Sequence, residues 1–413
     1  MILVKKATLI AGLLSSVLVQ SGFATVLRLP LDSRTNIEHL LRPTEVLIQQ
    51  PIVGPRRNPV PGDFGSTRSS IRSGLTKNFT HDLVYFTEIS IGTPPQRIKM
   101  LMDISSPETF VTSIECENCL PGGVRYDASR SCSSRENGTA LEFQYRYIFA
   151  SGNMTADTFY LDEFQIKNQL FLEATTVHPL GISWDDISTV HGILGLTPSS
   201  AGSVLNNPSP FMSMVKEKAL DRNIFSMCLR EPRELIFGAI NHERFNSELV
   251  QIPLTNKSGR YALTGRWQAE ANYLTLGSEP GIRMSLAGYT TSFSTTSALI
   301  FLPQQLVLDL LRILGFEEEK FLPPSIPCEQ LRIMPDITFN LAGKNFSLTP
   351  YDYTLQWPME YGTTLCVSAM LPFGVEQHDE IVLGSAFLQA FYSVFDLDTN
   401  TVGFAPLAPS LEA

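Results

Sequence analysis

Charge is scarce in this chain, and what there is leans acidic. Asp, Glu, Lys and Arg make up 17% of its 413 residues, and the formal net charge is −10. Basic clusters of the kind that hold a phosphate backbone are missing, which excludes a nucleic-acid binder. An acidic surface suits work at low pH, where carboxylates lose their charge and their mutual repulsion falls. Long apolar runs are missing as well. The one present, ATLIAGLLSSVLV (residues 7–19), is short for a bilayer span, and the closing LAPSLEA carries no lipid-anchor tail. No stable membrane anchor is therefore expected. G-x-S-x-G, H-E-x-x-H and phosphate-binding loops do not occur, which removes the serine-hydrolase, zincin and P-loop readings. The six histidines are scattered, and C-E-N-C (Cys116–Cys119) has no second ligand pair nearby. DLDTNT after Phe395 lacks the sixth-position Gly and twelfth-position Glu of a calcium loop. No metal or other cofactor is expected. Helix periodicity is confined to SPFMSMVKEKAL (209–220) and PQQLVLDLLRIL (303–314).

What is present begins with a secretory signal. Lys5 and Lys6 precede the apolar run, and small residues at Gly22 and Ala24 follow it, so residues 1–24 read as a signal peptide cut after Ala24. Residues 25–78 carry scattered Pro and Gly and the pair Arg56-Arg57, and read as a propeptide or flexible arm. The dibasic pair is either a processing site or a solvated charge pair. Sequons at Asn78, Asn137, Asn153, Asn256 and Asn345 and six cysteines fit a secreted, extracellular protein. From Leu83 onward the texture is of short β-type runs broken by Gly, Pro, Asn and Asp, which predicts an all-β chain. The length asks for two lobes.

One candidate for chemistry stands out: Asp103 in LMDISSPETFV (101–111), at the end of a strand-like run. YFTEISIGTPPQ, HGILGLTP (191–198), IFSMCL, ELIFGAIN and above all IVLGSAFLQAFYSVFDLDTNTVGFAP (381–406) resemble, in order, the landmarks of the pepsin-like aspartic peptidase family. His191 stands where the family usually has Asp. The resemblance covers roughly Leu83–Pro406 and implies a bilobal acid-protease fold, with an N-terminal lobe at 79–265, a C-terminal lobe at 266–413 and a peptide cleft between them. Each lobe of the family supplies one Asp from a D-T-G motif. The two share a proton, because close carboxylates cannot both ionise easily. One then activates water while the other polarises the scissile carbonyl.

Both motifs depart from that pattern. The first reads D-I-S-S: Asp103 is at the catalytic position, Ile104 replaces Thr, Ser105 replaces Gly, and Pro107 follows. The second reads SFSTTSALIFLP (292–303), which aligns Ser294-Thr295-Thr296-Ser297 with T-G-T-S and puts Phe293 at the second catalytic position. No Asp or Glu occurs between Gly281 and Pro303, so no shift of one or two residues restores the dyad. The resemblance further implies that Tyr147, Ser105, Ser106, Phe110, Ser294, Thr295 and Thr296 line the cleft. Tyr147 is read as the flap tyrosine, and an ungapped alignment puts Phe149 there instead. A Cys328–Cys366 disulfide matches the C-terminal lobe of the family, and Cys116–Cys119 follows its small loop after the first motif. Cys132 and Cys228 are left open. The expectation is a monomeric pseudopeptidase whose cleft takes a peptide or protein ligand. An active acid endopeptidase using Asp103 with another partner and a structural or antigenic glycoprotein are the alternatives.

Overall fold

The computed structural model describes residues 27–34, 84–117, 119, 124–145, 148–162, 164–179, 191–198, 208–255, 266–278, 280–319, 322–358, 364–372 and 380–408. The chain is a bilobal all-β protein, as expected. In the N-terminal lobe eight strands follow the order Asp32–Arg34, Val84–Ile91, Gln96–Asp103, Gly192–Gly195, Phe110–Thr112, Phe164–Pro179, Ile148–Leu161, Arg135–Tyr145. Ser90 and Ile91 also pair with Tyr160 and Phe159, which closes six of these strands into a barrel. The first hairpin turns at Gly92, where φ is +91° and a Cβ would meet the Ser131 side chain at 2.8 Å, so only glycine fits without strain.

The C-terminal lobe is built on Gln268–Leu276, Thr290–Phe293, Glu380–Leu383 and Ile300–Leu302, extended by Ile337–Leu341, Lys344–Leu348 and Met370–Pro372. A six-stranded sheet underlies both lobes, in the order Leu27–Pro30, Glu234–Phe237, Ile224–Cys228, Phe391–Asp396, Thr401–Pro406, Val250–Pro253. Its aromatic residues lock the lobes together. Phe225 stacks on Phe395 at 4.7 Å and meets Trp267 edge-on at 5.6 Å. Trp267 donates its indole N–H to the Leu196 carbonyl at 3.0 Å, crossing from one lobe to the other. The two expected helices are present as Pro210–Lys216, capped by Ser209, and Gln304–Leu314, ended by Gly315 at φ +77°. The first is shorter than its periodicity because Lys218 turns left-handed. Leu27–Arg34, within the stretch read as a propeptide or flexible arm, forms two strands.

Two groups in the N-terminal lobe, the half-buried Glu173 and the buried His191, make its stability depend on pH. Burial raises Glu173 above the ordinary carboxylate value; the hydroxyls of Ser113 and Thr155 donate to it and oppose the rise, while Glu115 and Glu136 add to it. Burial lowers His191, with Arg125 and Lys99 adding to the effect, and its Nε2 is buried and, among the described residues, has no hydrogen-bond partner. The signs differ. The Glu173 contribution is complete below the unfolded value and is lost as pH rises through the raised folded one. The His191 contribution is complete above the unfolded value, 6.5, and is lost as pH falls through the lowered one. Thermal melts should therefore show Glu173→Gln stabilising more at neutral than at acidic pH. His191→Asn should lose less stability than the parent on acidification from neutrality.

Candidate active site

Asp103 ends the strand Gln96–Asp103 and is fully buried. Its Oδ1 accepts from the Ser105 backbone N–H at 2.8 Å and from the Ser105 hydroxyl at 2.6 Å. Its Oδ2 is buried and, among the described residues, has no hydrogen-bond partner. A serine in the place of the motif glycine thus folds back onto the carboxylate. Ser106 is also buried and turns away from Asp103, its Oγ accepting from the Glu108 N–H at 3.0 Å.

The ladders of the two lobes identify what stands opposite. In the N-terminal lobe Leu101 pairs with Ile193, Met102 with Leu194 and Asp103 with Gly195, all parallel, while Phe110 pairs antiparallel with Ile193. In the C-terminal lobe Ser292 pairs with Val382 and Phe293 with Leu383, again parallel, while Phe301 pairs antiparallel with Val382. The two patterns superimpose with Met102 on Phe293 and Asp103 on the next residue, Ser294. The glycines agree. A Cβ on Gly195 would strike the carbonyls of Glu108 and Ser106, and one on Gly384 those of Leu299 and Ser297. The turns agree too: Ser106 Oγ accepts from Glu108 N at 3.0 Å, and Ser297 Oγ from Leu299 N at 3.3 Å.

This corrects the register expected for the second motif. Phe293 does not face Asp103. It is 1% exposed and packs into the core, its ring 5.0 Å from that of Phe404 and 6.2 Å from that of Phe387. A side chain of that size and polarity belongs where Met102 sits in the other lobe. Ser294 is the residue that meets the Asp103 loop, its Oγ 3.2 Å from Ser105 Oγ and 3.3 Å from Thr296 Oγ1. A row of hydroxyls runs from the Asp103 carboxylate through Ser105 and Ser294 to Thr296, which is partly exposed.

Thr295 ties the loops together. Its hydroxyl donates to the Met102 carbonyl at 2.7 Å and accepts from the Ile104 N–H at 3.3 Å. Ile104, fully buried in the apolar core, has no hydroxyl to return the bond. Of the two positions that carry threonine in the family's motifs, only the C-terminal one therefore contributes a hydroxyl to the interlobe tie.

The remaining expected residues are distributed as follows. Phe110, expected at the cleft, is instead core: it is 3% exposed and lies in an apolar cluster with Phe86, Leu101, Leu172 and Ile193. The neighbours in that cluster cover its ring. Tyr147 lies outside the described residues. Phe149 is paired with Gln144 and His178, and stacks on His178 at 6.2 Å. Cys116–Cys119 and Cys328–Cys366 are disulfides. Cys132 is an exposed free thiol, and Cys228 is a buried one that accepts from Arg244 Nη2 at 2.9 Å. Of the sequons, Asn137 and Asn345 are exposed and Asn153 is half-buried. Asn78 and Asn256 lie outside the described residues, as do the signal segment and Arg56-Arg57.

Comparison with known proteins agrees with this architecture. A family model described as eukaryotic aspartyl protease matches residues 84–407, both lobes included. The chain is 31% identical over 330 residues to vacuolar protease A of Neurospora crassa, covering 78% of each. It is 28% identical over 341 residues to gastricsin of Mus musculus, covering 79% of this chain and 81% of that one. It is 28% identical over 414 residues to cathepsin D of Rattus norvegicus, covering 95% and 97%. A match along both lobes, joined to two loops that meet at Asp103 and Ser294, leaves one assignment: the chain belongs to the eukaryotic aspartyl protease family.

Proposed function

We propose that this protein binds peptides in a pepsin-like cleft without cleaving them efficiently. The observation that carries this reading is Ser294 standing where a second carboxylate would have to stand, its Oγ bonded to the serine that occupies Asp103. Peptide hydrolysis by this family's chemistry needs one group to take a proton from water and another to give one to the carbonyl. A serine hydroxyl is neutral at every pH at which proteins fold and cannot share a proton as a carboxylate does. Loss of one positioned acid or base costs about 10²–10⁴-fold in rate. An acid endopeptidase working through Asp103 is the competing reading, and the naming of the relatives as proteases favours it. The signal-like N-terminus, the disulfides and the exposed sequons support delivery through the secretory route. The extracellular space and the vacuole, for which the fungal relatives are named, both lie along it.

The test uses purified, processed protein, an unfolded protein substrate at acidic pH (about 3 to 5) and a statine-type inhibitor. Peptide or inhibitor binding without cleavage is the expected result. Inhibitor-sensitive cleavage that disappears in Asp103→Asn would overturn the reading.

A further inference from the structure

A second hollow lies apart from the Asp103 loops, and none of Asp103, Ser105, Ser294 and Thr296 lines it. It is a groove of about 1730 Å³ between the interlobe sheet and the hairpin formed by Ile337–Leu341 and Lys344–Leu348. Pockets for drug-sized ligands run to about 300–1,000 Å³, so this one suits a longer, branched molecule. Among the described residues its lining holds three arginines and four carboxylic acids. Arg230 and Asp352, both in that set, already pair at 2.6 Å. Charge so evenly matched selects neither an anion nor a cation. A neutral polyhydroxyl ligand fits it, because each hydroxyl both donates and accepts and bonds to a guanidinium or a carboxylate without parting them. Tyr351, also in the lining, is 55% exposed. A ring open to water with a polar tip is the surface that covers the C–H face of a sugar.

Asn345 lines the same groove and heads the sequon Asn345-Phe346-Ser347. It is exposed, and its Oδ1 accepts from Asn340 Nδ2 on the paired strand at 2.6 Å. The carbonyl branch of the amide is thus held against its neighbour, and the nitrogen branch is the one left to carry a sugar. Ser347, two residues along the same strand face, is bonded to Thr338 at 2.8 Å.

We propose that this groove is a carbohydrate-binding site whose ligand is the protein's own N-linked glycan on Asn345, a proposal that rests on the secretory-route reading above. In the attachment, Asn345 Nδ2 loses a proton and bonds to C1 of the first N-acetylglucosamine. The pyrophosphate of a lipid-linked oligosaccharide donor leaves with the electron pair of the broken C1–O bond. The tether then holds the sugars beside the groove at about millimolar effective concentration, enough for contacts that are individually weak. The bound glycan braces the C-terminal lobe against the interlobe sheet.

The experiment uses the full chain secreted from eukaryotic cells, with Asn137 as the internal control. Asn137 is exposed, and a Cβ on the adjacent Gly138 would meet nothing within 4 Å. Glycopeptide mass spectrometry should find glycan at both sites. On native protein, peptide N-glycanase should release the Asn345 glycan about tenfold more slowly than the Asn137 glycan, the scale of one good aromatic contact. The two rates should converge in guanidinium-unfolded protein, and Tyr351→Ala should bring them together in the native protein. Equal native rates in the parent would overturn the proposal, as would a slow Asn345 rate unchanged by Tyr351→Ala. Glycan at Asn137 alone would overturn it and leave the secretory route standing. Glycan at neither site would overturn both.

Discussion

Ser294→Asp, combined with Ser105→Gly and Thr296→Gly, is expected to turn this cleft into an acid protease. The three changes restore the two things that the site lacks. An Asp at 294 starts from the position that the two ladders make equivalent to Asp103, so the two carboxylates face each other across the loops and share a proton. Removing the Ser105 side chain releases Asp103 Oδ1 from the 2.6 Å hydroxyl bond. Glycine at 296 removes the hydroxyl now bonded to Ser294. Thr295 already holds the two loops in place through Met102 and Ile104, so no rearrangement of the lobes is required. Cleavage of an unfolded protein at acidic pH should rise by about 10²–10⁴-fold over the parent and should vanish with Asp103→Asn. A folded triple variant that still fails to cleave would mean that the cleft no longer admits an extended peptide. That result would also count against the peptide-binding reading.

Phe293→Asp is the contrasting substitution, and its effect is on stability. Phe293 fills core space beside Phe404 and Phe387. Losing the ring costs about 3–5 kcal/mol, the usual range for a buried Phe cut back to a small side chain. An unpaired carboxylate buried there adds to that cost. The sum is a large share of a domain's net stability. Denaturant titration should show the loss, and the variant should gain no peptidase activity. Together the two substitutions decide the register experimentally: position 294 should give activity and position 293 should give unfolding.

The sequence displays most of this architecture. The alternating run VYFTEISI and the apolar run EIVL became strands, and Asp103 ends a strand as the run before it suggested. The second loop was misread by one residue because S-T-T-S matches T-G-T-S letter by letter, whereas position is decided by pairing with a strand some ninety residues on. A local signal was present. DISSPETFV and STTSALIFL, set side by side, share a serine at Ser106 and Ser297 and a phenylalanine at Phe110 and Phe301. That repeat places Asp103 on Ser294. Phe110 was assigned to the cleft for want of the same information: period-2 patterning says that a residue alternates, not which face is covered. The leucines of LRLPL were visible as well, but their partner strand lies two hundred residues away.

The row of hydroxyls beneath the cleft has a consequence for exchange with solvent. Asp103 has no accessible surface of its own. Ser105, Ser294 and Thr296 each carry a group that can both donate and accept. They are spaced at 2.6, 3.2 and 3.3 Å along the path from the carboxylate outward, and only Thr296 is partly open to water. By turning each hydroxyl in sequence, the row can hand a proton from bulk to a carboxylate that water does not touch. The two loops together form a wire of hydroxyls, and Asp103 is its buried terminal.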